Sequence, residues 1–220
     1  MSLTGSVRAE VARLAERRCD LAEACVGMVG AYELLAKMFE AGGVLYVCGN
    51  GGSFSDALHI KGELAKSFEL PRPLRDEGVR ARLVAAGLST DSIGKLEGGL
   101  PVVVLGDSHS LRSAYENDQE ATLAYAQELH AFAGRLGRGA LLGISTSGNA
   151  ANVVAAARVA RGYGLGTISM TGPGGGQLAE VAEVAWRAPG HSTAEVQENM
   201  VPLYHALCRM LEVRFFGQGG

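Results

Sequence analysis

Short apolar runs that alternate with helical patterns constrain this chain more than any other feature. Val44–Cys48, Val102–Leu105, Ala140–Ile144 and Gly166–Met170 are each rich in β-branched residues or bounded by glycine, and a weaker run follows at Val184–Arg187. Helical spacing of apolar residues fills the gaps, over Ser55–Phe68, Ser113–Leu136, Ala150–Tyr163 and Gln177–Val181. Strands that are apolar throughout, rather than at every second position, belong to sheets buried on both faces. Strand–helix alternation of this kind builds a parallel sheet. The predicted fold is therefore α/β, a parallel sheet covered by helices on both sides.

The ends of the chain frame this unit. Apolar residues from about Ser6 to Ala41 recur at three, four and seven, which predicts a long helix or two helices broken near Gly27–Gly30. A final helix is predicted over about Ala194–Phe215. Pro202 inside it removes the bond to the Glu198 carbonyl, so a kink or a short first segment is expected. Residues 74–100 fit the scheme poorly and read as one short helix between glycines, or as a lid.

Two strand ends run into loops of matching chemistry. "CGNGGSFSD" follows the first strand and "ISTSGNAAN" follows Ile144. Exposed N–H groups at a helix N-terminus, together with the helix dipole, bind anions. Gly51, Gly52 and Gly148 allow close backbone approach, and Ser53, Ser55, Ser145, Thr146 and Ser147 supply hydroxyls. Either loop alone reads equally well as an ordinary turn. In a flavodoxin-like sheet, however, the first and third strands are neighbours at the switch point. Both loops then face one crevice. No Gly-Lys-Ser/Thr and no GxGxxG follows, so a small phosphorylated metabolite fits better than a nucleotide.

The helix behind the first loop carries His59 and Glu63, four residues apart on one face. Gln197 and His205 lie eight apart on the last helix, about two turns. These four suit acid–base work or a divalent metal such as zinc. The plainer alternatives are a surface ion pair for His59 and Glu63 and a core histidine for His205. Asn117 and Asp118 open a helical run, with Asp118 read first as an N-cap. His130 reads as solvated, and His191 as a loop residue near the last helix.

Composition removes other classes. The net charge is -3 with no dense basic run, which disfavours nucleic acid. No apolar stretch reaches membrane-spanning length and no signal-type h-region opens the chain. The four cysteines form no CxxC pair, so reduced thiols in a cytoplasmic protein are expected.

With these residues in view, the chain resembles the sugar isomerase (SIS) domain family, and within it the phosphoheptose isomerase branch. The matching stretches are "GNGGSFSDALHIKGEL", Asn117–Asp118, "LLGISTSGNAANVVAAARVARGYGLGTISMTGPGGGQLAEVAE" and "VQENMVPLYHALCRMLE". The resemblance implies a three-layer α-β-α sandwich with a five-stranded parallel sheet over residues 43–220. It implies that residues 1–42 form a helical segment used in assembling a homotetramer with active sites between subunits. Sedoheptulose 7-phosphate is the implied substrate. Asn50, Gly51, Gly52, Ser53, Ser55, Asp118, Ser145, Thr146, Ser147, Asn149 and Gln197 are the candidate binding residues, with Ser53, Ser145, Thr146 and Ser147 implied to hold the phosphate. Glu63 and His205 are implied to exchange protons, and His59, Glu63, Gln197 and His205 to hold one zinc ion per site. Departures are Ser67 where the family has arginine, with Lys66 or Arg72 as substitutes, Ala194 for aspartate, Ala150 for serine, and an insertion at about residues 74–100. They leave open a second reading: a non-catalytic SIS adaptor that binds a protein partner.

Overall fold

The computed structural model of the protein describes residues 4–217. Helices α1 (Gly5–Arg17) and α2 (Ala24–Glu40) precede strand β1 (Val44–Gly49) and helix α3 (Gly52–Ala65). Two short helices follow, α4 (Glu77–Ala85) and α5 (Thr90–Ile93), then β2 (Val102–Val104), α6 (His109–Asp118) and α7 (Ala124–Leu136). The rest is β3 (Gly139–Ser145), α8 (Ala151–Gly162), β4 (Gly166–Thr171), α9 (Gly176–Val181), β5 (Val184–Arg187) and α10 (Thr193–Phe216).

The five strands are all parallel, in the order β2-β1-β3-β4-β5. Alternate residues of each strand serve opposite faces. Leu45 and Val47 enter a core shared with α1, α2, α3 and α10, while Tyr46 and Cys48 enter one shared with α7, α8 and α9. That double burial explains why the strands read as unbroken apolar runs.

Three helical expectations need correction. The N-terminal break falls at Arg18–Glu23, where a 3₁₀ turn over Cys19–Leu21 intervenes, and α2 runs through Gly27 and Gly30. Those glycines are contact points: a Cβ on Gly27 would lie 2.8 Å from the Trp186 Cα, so α2 can rest directly on β5 only without it. The Ser113–Leu136 stretch is two helices, and Asp118 ends α6 instead of capping a new one. α10 is continuous through Pro202, with no separate first segment.

Residues 74–100 contain two short helices rather than one. The excursion leaves and returns at one place: Pro73 and Glu97 form an antiparallel bridge, and the Gly98 N–H donates to the Arg72 carbonyl at 2.6 Å. Ser67 secures it, its hydroxyl and N–H both donating to the Glu97 carboxylate. These bonds hold the Glu97 carboxyl below the usual carboxylate range. No described helix is long and apolar enough to cross a membrane.

Candidate active site

β1 and β3 are adjacent and in register at their carboxyl ends, Gly49 opposite Ile144. Both Ser/Gly loops therefore leave the sheet side by side, at the topological switch point where open α/β sheets bind ligands. The loops are also bonded to one another. The side-chain amides of Asn50 and Asn152 exchange hydrogen bonds of 2.8 and 2.9 Å. The Tyr125 hydroxyl donates to the Gly49 carbonyl at 2.7 Å and lies 3.0 Å from Asn50 Oδ1. Burial pushes that phenol up to about 12, so it stays a donor. Asn152 and Tyr125 were not singled out from the sequence; the Asn in "GNAAN" was the available signal.

The N–H groups of Gly51 and Gly52 have no protein partner among the described residues, and they precede the first turn of α3. Ser55 and Ser147 are exposed, Thr146 is half-buried, and Ser53 and Ser145 are buried. Asn149 spends its amide on the loop itself, donating to the Ser147 carbonyl and accepting from the Gln177 N–H. Gly148 has φ +68, and a Cβ there would lie 1.9 Å from the Gly175 carbonyl, so the loop closes only around glycine. Ala150 leaves α8 without a side-chain cap. Asp118 is exposed at the end of α6, where it accepts from Asn117, and it joins neither loop by a described hydrogen bond.

Deeper along α3, three side chains converge. His59 Nε2 lies 3.1 Å from Glu63 Oε1 and 3.3 Å from His205 Nε2, and the donor atoms of all three lie within 4.8 Å of one another. Two helices make this possible. α3 and α10 run alongside each other in the same direction: Gln197 meets Gly52, Tyr204 meets Asp56 and His59, and Glu212 meets Phe68. Gln197 therefore sits at the loop end of the pair, about two turns from His205, with its side-chain amide against Gly52. Burial first, and then the neighbouring His59, pull the His205 imidazole below its ordinary value, against the opposing pull of Glu63. A neutral imidazole has a lone pair for a proton or a metal.

Arg72 does not stand in for the family arginine. Its side chain is fully buried, bonded to Glu212 at 2.9 Å and donating to the Leu64 and Glu63 carbonyls at 2.8 and 3.0 Å. It closes the C-terminus of the helix that carries His59 and Glu63. Lys66 is exposed and donates to the Ser67 carbonyl. His130 pairs with the Tyr163 hydroxyl, and the His191 N–H donates to Glu195, so neither joins this group.

Comparison with known proteins gives the family. No family model matches the chain. Phosphoheptose isomerase from Crocosphaera subtropica is 33% identical over 198 residues, 89% of this chain and 86% of that one. The chain belongs to the phosphoheptose isomerase family. The phosphoheptose isomerase from Roseiflexus sp. is also 33% identical, over 86% of this chain and 82% of the relative. Among solved structures, phosphoheptose isomerase from Neisseria gonorrhoeae superposes with a TM-score of 0.68 at 30% identity, covering 93% of this chain and 94% of that one. A phosphoheptose isomerase from Francisella tularensis shares the fold, with a TM-score of 0.67 at 22% identity over 91% and 96% of the two chains. Family membership thus rests on most of the chain.

Proposed function

We propose that the protein is a phosphoheptose isomerase that interconverts sedoheptulose 7-phosphate and D-glycero-D-manno-heptose 7-phosphate. The observation that carries this reading is the meeting of Glu63, His59 and His205 on the same helix pair that begins at the anion-type loop. Seven residues of helix separate Gly52 from His59, about 10 Å, the scale of an extended sugar phosphate. The phosphate is held by the Gly51 and Gly52 N–H groups and by Ser53, Ser55, Ser145, Thr146 and Ser147. Asn50, Asn149, Asp118 and Gln197 complete the substrate contacts. An anchored phosphate keeps the reacting carbons from drifting.

Isomerisation then needs proton transfers at two carbons and their two oxygens at the far end. Glu63 takes a proton from carbon 1 of the ketose, the carbonyl at carbon 2 is protonated, and an enediol results. Return of a proton to carbon 2, with loss of the proton from the carbon-1 hydroxyl, gives the aldose. His205 exchanges the protons on the two oxygens. A positioned base of this kind contributes about 10²–10⁴-fold.

The donor set fits zinc. Bonds of about 2.0–2.1 Å at a tetrahedral angle place two ligand atoms roughly 3.3 Å apart, and the two short separations around His59 are 3.3 and 3.1 Å. His59, Glu63 and His205 would hold the ion, with Gln197, about two turns along α10 from His205, as the proposed fourth ligand. When bound, zinc would polarise the substrate carbonyl. We further propose that the protein works in the cytoplasm as a homotetramer with sites between subunits. Residues 1–42 then form the assembly segment on the unit spanning residues 43–220, in keeping with the outward-facing Val26 of α2, 77% exposed.

The test is direct. Purified protein supplied with zinc should convert sedoheptulose 7-phosphate and, in deuterated water, place deuterium on carbon 2 of the product. Glu63→Gln should cut kcat by about 10²–10⁴-fold with little change in KM. No turnover by the parent protein, or full turnover by Glu63→Gln, overturns the proposal. The adaptor reading is not favoured, because acid–base groups behind an anion loop have no task in a protein that only binds.

A further inference from the structure

Behind His59 lies a pair of side chains to which neither the proton transfers nor the metal assigns a task. The Tyr204 hydroxyl is 3.0 Å from His59 Nδ1 and 3.3 Å from Asp56 Oδ1. Asp56 and His59 are three residues apart on α3, so both face α10. The other oxygen of Asp56, Oδ2, is buried with no hydrogen-bond partner among the described residues. Tyr204 is itself buried, and its ring packs edge-on against His59 with centroids 5.5 Å apart.

Proton counting gives this cluster a direction. A phenol has one proton to donate, a carboxylate can only accept, and a neutral imidazole carries its proton on one nitrogen. If Tyr204 donates to Asp56, its oxygen must accept from His59, so the imidazole proton sits on Nδ1. His59 Nε2 is then the unprotonated nitrogen, next to His205 Nε2, which can donate to it, and to Glu63 Oε1, the acceptor that favours the opposite tautomer.

We propose that Asp56 and Tyr204 are positioning residues that fix His59 as the Nδ1–H tautomer and present its Nε2 lone pair to the space shared with Glu63 and His205. This rests on the cation-binding reading above and adds to it the element that selects the ligating nitrogen. A ligand imidazole whose other nitrogen is held by an acceptor is pre-oriented. Loss of such a partner typically costs about 10–100-fold in metal affinity.

The experiment uses full-length, metal-free protein with 15N-labelled histidine. Long-range proton–nitrogen correlation spectra are recorded at about pH 8, where an ordinary histidine is neutral. The His59 signal, assigned through His59→Gln, should show a protonated Nδ1 and a bare Nε2. Tyr204→Phe should move the signal toward the Nε2–H form and weaken zinc binding by about 10–100-fold in competition with a chelating dye. Asp56→Ala should move it the same way, whereas Asp56→Asn, whose Oδ1 still accepts, should hold the parent tautomer. The two Asp56 variants keep the test decisive if the phenylalanine variant does not fold. A parent protein with its proton on Nε2, or an unchanged tautomer in both Tyr204→Phe and Asp56→Ala, overturns the proposal. Because the spectra need neither substrate nor metal, an inactive protein with the Nδ1–H tautomer would sink only the isomerase reading. An active one with the Nε2–H tautomer would sink only this one.

Discussion

Replacing Arg72 by methionine tests whether the far end of α3 is held as described. The guanidinium is 0% exposed and its partner Glu212 1%. It bonds to Glu212, donates to two helix-end carbonyls, and stacks 4.5 Å from the Phe216 ring centroid. Methionine keeps much of the apolar stem but removes the charge and three bonds. Glu212 would retain only the Phe68 and Glu69 N–H groups, at 2.8 and 2.9 Å. Breaking a buried pair by removing one partner costs about 3–5 kcal/mol, a large share of the roughly 5–15 kcal/mol that keeps a domain folded. With a urea dependence of about 2 kcal/mol per molar, the unfolding midpoint should fall by about 1.5–2.5 M. The assay is equilibrium urea unfolding at fixed protomer concentration, since assembly would add a concentration-dependent contribution. The double variant Arg72→Met/Glu212→Gln removes the stranded charge and should recover part of the loss. A midpoint shift below about 0.5 M, or a double variant no better than the single one, refutes the reasoning.

Other outcomes follow from the same geometry. Gly148→Ala forces a side chain against the Gly175 carbonyl at φ +68; KM for the phosphosugar should rise and inhibition by inorganic phosphate should weaken, both read from steady-state kinetics. Cys48 and Cys208 are fully buried, and burial pushes the Cys48 thiol up to about 12 and Cys208 higher still; Cys25 is also buried and only Cys19 is exposed. A thiol reagent should therefore titrate one cysteine in native protein and four in denaturant, and rapid reaction of a second native thiol would contradict the burial. Gly27→Val should separate α2 from β5, cost about 1–3 kcal/mol of stability through overpacking and so lower the thermal midpoint; an unchanged midpoint would show that α2 does not rest on Trp186.

Much of the architecture was legible because burial on both faces leaves a plain mark on strands. The runs at Val44, Val102, Ala140, Gly166 and Val184 all became strands, and the matching chemistry of the two loops pointed to neighbouring strand ends. Local signals failed where tertiary contact decides the role of a residue. Gly27 and Gly30 looked like a helix break but are bare patches where a helix lies on a strand. Pro202 looked like an interruption, yet α10 runs through it. The trio of His59, Glu63 and His205 was half legible. The i,i+4 pair is in the sequence, but its meeting with His205 of α10 spans more than a hundred residues. Asp56 shared the periodicity of His59 and Glu63 and was readable in principle; Tyr204 gained its meaning only once α10 lay against α3.

The amide pair joining Asn50 to Asn152 has a consequence for energetics. Two loops linked to each other before any ligand arrives have surrendered their conformational freedom during folding, and an incoming phosphate need not supply it. Affinity at that end should then track the cost of stripping water from the anion, with a small entropic penalty for rearrangement. Cutting the link with Asn152→Ala would transfer that penalty to the binding step, where calorimetry would record it as less favourable entropy.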